Sequence, residues 1–137
     1  MAIRVQDVMV KKPLTAQSVQ NVIEGAKLMA THDADALVIY QGDKPVGIVT
    51  EKDLVQKVLS KELDLKTTPL GAVMSSPLVT VGPDADIAEA AELMNRHHIR
   101  RLPVVDKGVL VGVVTSREVV KNLSTYVSKL FTEYFYV

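Results

Sequence analysis

"GIVTEKD" spans residues 47–53, and "GVVTSRE" spans residues 112–118. Each runs from a glycine through an apolar pair to a threonine, with an acid three residues after the threonine. β-branched residues in a short apolar run read as a strand. Thr-x-x-acid is the spacing of a capping box, in which the threonine caps a helix and the acid reaches back to the cap residue's N–H. Each stretch therefore marks a strand running straight into a helix. A shift of 65 residues superimposes the two, and the same shift brings the rest of the chain into register. Met9 falls on Met74, Leu28 and Met29 on Leu93 and Met94, His32 on His97, Leu37 on Leu102 and Thr50 on Thr115. Self-similarity at one fixed offset is the mark of a repeat. The chain is a tandem duplication: residues 1–60, a linker "KELDLKTTPL" at 61–70, and residues 71–124.

Working outward from the junction, each half reads alike. "TAQSVQNVIEGAKLMATH" places Val22, Ala26 and Met29 at helical spacing, with Ser18 as the expected N-cap. "DADIAEAAELMNRHH" does the same with Ile87, Ala91 and Met94, and both helices end near histidine, where a cation suits the helix dipole. The pairs "ALVIY"/"VGIVT" and "LPVV"/"VLVGVVT" read as hairpins, and the closing helices as "EKDLVQKVLS" and "SREVVKNLS". An extended segment opens each half, around Leu14 and Thr15 and around Val79 and Thr80. The predicted fold class is mixed α/β: two β-α-β-β-α repeats packed with pseudo-two-fold symmetry, since neither half is long enough for a core of its own.

Composition narrows the function. Lys plus Arg is 16 and Asp plus Glu is 16, so a general nucleic-acid binder is not expected. There is no cysteine, hence no disulfide framework and no thiolate chemistry. No apolar run reaches membrane-spanning length and "MAIRVQDVMV" has no signal-peptide core, which points to the cytoplasm. No GxxxxGK[ST], HExxH or GxSxG motif occurs, and no nucleophile is paired with a base, so an enzyme is not expected. His97 and His98 diverge on a helix with no third ligand near them, so neither is a metal expected. Met9, Met29, Met74 and Met94 recur with the repeat and read as core.

The junction itself has two readings on spacing alone. One is a capping box. The other is a ligand site: a helix N-terminus favours anions, a carboxylate beside it can accept ribose hydroxyls, and a strand glycine lets another group approach the backbone.

"VMVKKPLT", "LVIYQGDKPVGIVTEKDL" and above all "IRRLPVVDKGVLVGVVTSREV" resemble the cystathionine β-synthase (CBS) domain, two of which in tandem form a Bateman module. The resemblance covers the chain from about Ile3 to Leu123. It implies a non-enzymatic regulatory module that binds AMP, ADP or ATP in a cleft between repeats and signals energy state to an effector protein in trans. No cofactor is implied, although a triphosphate could bring Mg²⁺ with it. Thr50 and Asp53 match the family's ribose-holding pair, and Leu14, Thr15 and Ala16 the segment beside the base. In the family, phosphates over one ribose site are often met by the other repeat. The matching positions are Arg100, Arg101 and Arg117, and the planar guanidinium fork suits phosphate.

The second site departs from this pattern. Thr115 is present, but Glu118 replaces the aspartate, and its phosphate side would come from Asp35, Ala36 and Lys52. Asp35 would repel phosphate. The resemblance thus implies one full site and a weaker second one at Thr115, Glu118 and Lys52. The alternative is an assembly module that binds S-adenosylmethionine, nucleic acid or nothing.

Two features bear on assembly. Leu54, Val55, Val58 and Leu59, and again Val119, Val120 and Leu123, carry more apolar surface than one module can bury, which predicts a homodimer. Five of the six aromatics, Tyr126, Phe131, Tyr134, Phe135 and Tyr136, fall in a tail at 125–137. That tail reads either as a helix packed on its own module or as an anchor on a partner subunit.

Overall fold

The computed structural model describes residues 3–135, without the side chains of 125, 126 and 129–135. The chain divides into two compact units whose limits differ from those of the sequence repeats. One comprises the segment up to Lys12 together with the chain from Thr80 onward; the other is Pro13–Val79.

The Pro13–Val79 unit is built on a three-stranded sheet in the order β1-β2-β3. β1 (Thr15–Gln17) runs parallel to β2 (Ala36–Gln41), which forms a hairpin with β3 (Lys44–Thr50). Helix α2 (Val22–Thr31) lies between β1 and β2 in sequence. Its N-cap is Asn21, whose Oδ1 accepts from the Glu24 N–H at 2.9 Å. The expected cap, Ser18, is still in the sheet ladder, where its N–H donates to the Tyr40 carbonyl at 2.8 Å. The strand claims Ser18 before the helix can. After β3 come a single turn, α3 (Glu51–Asp53), and a π-helical stretch, Leu54–Leu59, where one α-helix was expected. The Ser60 N–H donates to the Val55 carbonyl, five residues back, which is the wide-turn pattern.

The stretch between the repeats is not a loose linker. The Val22 N–H donates to the Thr68 carbonyl (2.9 Å) and the Ile23 N–H to the Leu65 carbonyl (3.2 Å), so the stretch supplies acceptors to the otherwise unpaired first turn of α2. Asp64 shapes it by accepting from the Lys66 and Thr67 N–H groups, which hold its carboxyl below the ordinary carboxylate range. Helix α4 (Leu70–Val73) follows, with the Leu70 N–H donating to the Gln20 carbonyl. The core of this unit gathers Ala16, Val22, Met29, Leu37, Ile39, Val49 and Val58 with Leu70 and Val73.

The other unit repeats these contacts with the ends of the chain exchanged. Helix α1 (Val5–Val8) docks as α4 does: the Val5 N–H donates to the Ala85 carbonyl at 2.8 Å, and Ile87 N–H to the Ile3 carbonyl. Helix α5 (Ile87–His97) is capped by Asp86, and the hairpin of β4 (Arg101–Asp106) and β5 (Val109–Thr115) matches the first in register and in the position of its bulge. The extended segment expected near Val79 and Thr80 is not a strand. It makes one parallel bridge, Val81 to Val104, because Gly82 and Pro83 follow at once and proline has no N–H to continue a ladder. Val5, Val81, Ile87, Ala90, Met94, Leu102, Val104, Val114 and Val119 are buried. The closing helix α6 (Ser116–Phe135) does not stop at Ser124; its backbone runs unbroken through most of the predicted tail. The aromatic side chains there, and Tyr136 altogether, lie outside the described residues.

The recurring glycine and methionine meet across this exchange. The chain pairs Ser75 with Ile48 on β3 and Val10 with Val113 on β5. A Cβ added at Gly47 would lie 2.5 Å from Met74 Sδ and 3.0 Å from the Ser75 carbonyl oxygen. One at Gly112 would lie 2.7 Å from Met9 Sδ and 2.9 Å from the Val10 carbonyl oxygen. The close approach foreseen at the strand glycine is thus made by the methionine side chain and the carbonyl of the residue after it. Met29 and Met94 are core, whereas Met9 and Met74 are half-buried. Gly47→Ala and Gly112→Ala should each cost about 1–3 kcal/mol by urea denaturation, as overpacking does. Adding Met74→Ala to Gly47→Ala should recover only part of the loss, because the Ser75 carbonyl stays.

Candidate functional site

The junction in the Pro13–Val79 unit is a complete capping box. β3 ends at Thr50, whose extended backbone (φ −115°, ψ 169°) turns the chain into α3. Asp53 N–H donates to Thr50 Oγ1 at 3.3 Å, while Thr50 N–H donates to Asp53 Oδ2 at 2.8 Å. The Thr50 hydroxyl also donates to Oδ2, at 3.1 Å. The other carboxylate oxygen, Oδ1, pairs with Lys57 Nζ at 3.0 Å. Asp53 is the one buried charged residue among those described. A carboxylate offers about four acceptor positions. Two on Oδ2 and one on Oδ1 are taken, so a further donor, such as a sugar hydroxyl, would meet a fixed, preoriented oxygen.

The segment expected beside a base lies at the same end of the same sheet. The Leu14 carbonyl accepts from the Val38 N–H, Thr15 pairs with Val38, and Ala36 pairs with Thr50 across the hairpin. One strand separates β1 from β3, so Leu14 and Thr50 stand roughly 9–10 Å apart at neighbouring-strand spacing. Leu14 packs against the core, Thr15 is exposed and Ala16 is buried. Thr15 and Ala16 also line an open groove of about 440 Å³ with Gln17, Gln20, Tyr40, Gly42 and Asp43, toward the hairpin turn and away from Thr50 and Asp53.

The arginines belong to the other unit. Arg101 opens β4 opposite Thr115, the Arg100 carbonyl accepts from the Ser116 N–H at 2.9 Å, and Arg117 is exposed in the first turn of α6. Glu118 does not repeat the Asp53 arrangement. Its N–H reaches Thr115 Oγ1 at 3.4 Å, but among the described residues no hydrogen bond returns from Thr115 N–H to its carboxylate. The expected second capping box is thus only half formed. The partner four residues on differs too: where Asp53 has Lys57, Glu118 has Asn122, whose amide donates to the Glu118 carbonyl at 2.7 Å. Lys52 and Asp35, assigned to the second site, are exposed, and the Asp35 carbonyl accepts from the Glu51 N–H.

Lys57 was not singled out from the sequence. Its signal was present: Asp53 and Lys57 are four apart in a helical segment, the spacing of an ion pair.

The contrast between junctions is measurable. Asp53→Ala removes a reciprocal cap and should cost about 1–2 kcal/mol of stability. Glu118→Ala should stay within about 0.5 kcal/mol. Urea denaturation at neutral pH reads both, and equal losses would contradict the one-sided cap.

Comparison with known proteins gives this geometry a setting. The CBS domain model matches the chain over residues 5–60 and again over 70–125. Uncharacterized protein MK0525 of Methanopyrus kandleri is 35% identical over 122 residues; the match covers 88% of this chain but 62% of that protein. Among solved structures, CBS domain protein PAE2072 from Pyrobaculum aerophilum, complexed with AMP, aligns with a TM-score of 0.80 at 28% identity, covering 90% of this chain and 99% of that one. The CBS domain pair of protein MJ0100, in complex with 5′-methylthioadenosine and S-adenosyl-L-methionine, aligns with a TM-score of 0.82 at 28% identity, covering 92% and 99%. Matched twice by one family model, at two copies of one strand-to-helix junction, the chain belongs to the CBS domain family as a tandem pair.

Proposed function

We propose that this CBS pair is a non-catalytic regulatory module that binds an adenine nucleotide at the Thr50–Asp53 junction and reports the cell's energy state to an effector protein in trans. One observation carries the reading: Asp53 is buried, aimed by Thr50 and Lys57, and shares a sheet end with Leu14–Ala16. An oriented carboxylate accepts paired hydroxyls, and a ribose offers them. The relative PAE2072 binds AMP, which supports the same ligand class here. The roles of Arg100, Arg101 and Arg117 toward phosphate rest on the family resemblance alone, as does a weaker second site at Thr115, Glu118 and Lys52. A second reading comes from MJ0100, bound to methylthioadenosine and S-adenosylmethionine. Both ligand classes carry an adenosyl group, so Thr50 and Asp53 would serve either, and only the phosphate separates them. We place the module in the cytoplasm; among the described residues no helix is long and apolar enough to cross a membrane.

Titration calorimetry against AMP, ADP, ATP, S-adenosylmethionine and methylthioadenosine tests this. The expected result is one strong adenine-nucleotide site per chain. Asp53→Ala should lower affinity about tenfold or more, and Glu118→Ala should leave it nearly unchanged. Arg100→Ala and Arg101→Ala should weaken ATP and ADP more than adenosine. No binding by any of these ligands would leave the assembly-module reading instead.

We also propose a homodimer. Val58 and Val119 are spent in the cores and Leu54 packs against one, but Val55, Leu59, Val120, Leu123 and Val127 remain exposed. Val120, Leu123 and Val127 follow one another at helical spacing along α6, which makes a continuous apolar stripe. Light scattering should give twice the chain mass at micromolar concentration; a monomer there would refute this.

A further inference from the structure

Lys57 reaches two parts of the Pro13–Val79 unit at once. Its ammonium lies 3.0 Å from Asp53 Oδ1, 3.0 Å from the Val73 carbonyl oxygen and 3.5 Å from Ser75 Oγ. Val73 ends α4, so its carbonyl is one of those a helix leaves unpaired, and a cation there is favourable. The next residues carry the docking contact. Met74 covers Gly47, and the Ser75 N–H and carbonyl both bond to Ile48, at 2.9 and 3.1 Å. Lys57 also sits in the π-helical stretch that starts directly after Asp53, and such wide turns recur at functional sites. At the matching position in the other unit, the Asn122 amide turns to its own helix.

We propose that Lys57 is a coupling residue, through which nucleotide occupancy at Asp53 and the docking of Val73–Ser75 on β3 stabilise each other. This rests on the nucleotide reading of the Thr50–Asp53 junction. Lys57 is a positioning residue: it acts through Asp53 and need not touch the ligand. A ligand over Asp53 displaces water, and the attraction between Asp53 and Lys57 strengthens as the local dielectric falls. A more tightly held Lys57 leaves its donors on the Val73 carbonyl and the Ser75 hydroxyl, so the segment opens less often. Linkage makes the effect reciprocal: loosening the segment weakens the ligand by the same factor.

The test is amide hydrogen exchange with and without AMP, on the full chain. In the unaltered protein, AMP should slow exchange at Met74 and Ser75, whose N–H groups bond to Leu70 and Ile48. In Lys57→Gln that slowing should vanish and AMP affinity should fall about three- to tenfold; Lys57→Arg, which keeps the cation, should retain most of both. Met74→Ala, which loosens the docked segment, should weaken AMP in the unaltered background but not in Lys57→Gln. A lysine that served only local stability would change unfolding without changing the AMP-induced slowing. If AMP binds, Asp53→Ala weakens it about tenfold or more and Lys57→Gln still shows the full slowing, the coupling is wrong and the nucleotide reading stands. If AMP does not bind the unaltered protein, the nucleotide reading fails and takes the coupling with it.

Discussion

The fold depends on a backbone crossing that only a glycine allows. The segment leading into each repeat leaves its own half of the sequence and lies across the hairpin of the other. Its methionine and carbonyl come within 3.0 Å of where a side chain at Gly47 or Gly112 would begin. Close packing has no slack for that extra carbon. Because of the exchange, Leu70 and Val73 are buried in a core otherwise drawn from residues 16–58, and Val5 is fully buried in the unit formed with residues 80 onward. Neither repeat, cut at the linker, would own a complete core. Each copy of the duplication therefore supplies a part that the other lacks.

The same crossing sets up the junction. Ser75 pairs with Ile48, two residues before Thr50, so the strand is pinned just short of its end. Thr50 is left to turn the chain and cap the helix, and Asp53 turns back to close the box. Lys57, one turn further on, finds Asp53 on one side and the docked segment on the other. The acid is therefore fixed from both directions. Fixing a side chain before a ligand arrives removes rotamer entropy that binding would otherwise have to overcome.

Much of this was legible in the residues. The offset of 65, the hairpins and the strand-to-helix junctions follow from period and turn chemistry, which are local. What the sequence could not show was partnership. The apolar periodicity of Val5 and Val8, or of Leu70 and Val73, says that a face is buried but not against which hairpin, so the repeats looked like the natural packing units. The cap of α2 was misplaced for a related reason: Ser18 is a good cap by type, but a strand hydrogen bond claims its backbone, and Asn21 takes the role. The linker looked like connection because it is polar, yet its carbonyls satisfy the start of α2. At the junction, Thr50 and Asp53 were visible as a pair, while Lys57 passed as one more exposed cation because its second set of partners, Val73 and Ser75, is distant in sequence.

The difference between Asp53 and Glu118 now reads as more than a methylene. Duplication would have begun with one acid and one i+4 partner at both junctions. In one copy the acid is short and the partner is a cation, and the result is a closed box with an ion pair to a neighbouring segment. In the other the acid is longer and the partner is an amide that bonds to the helix itself. Glutamate is the commoner third residue of a capping box, so the longer side chain alone does not explain the open box. The Lys57 ammonium is what draws Asp53 Oδ1 away from solvent and leaves Oδ2 facing the Thr50 N–H. An acid held between a cap and a cation is a fixed acceptor. Selection acting on that pair of positions could separate a binding junction from a purely structural one without altering the fold that both junctions share.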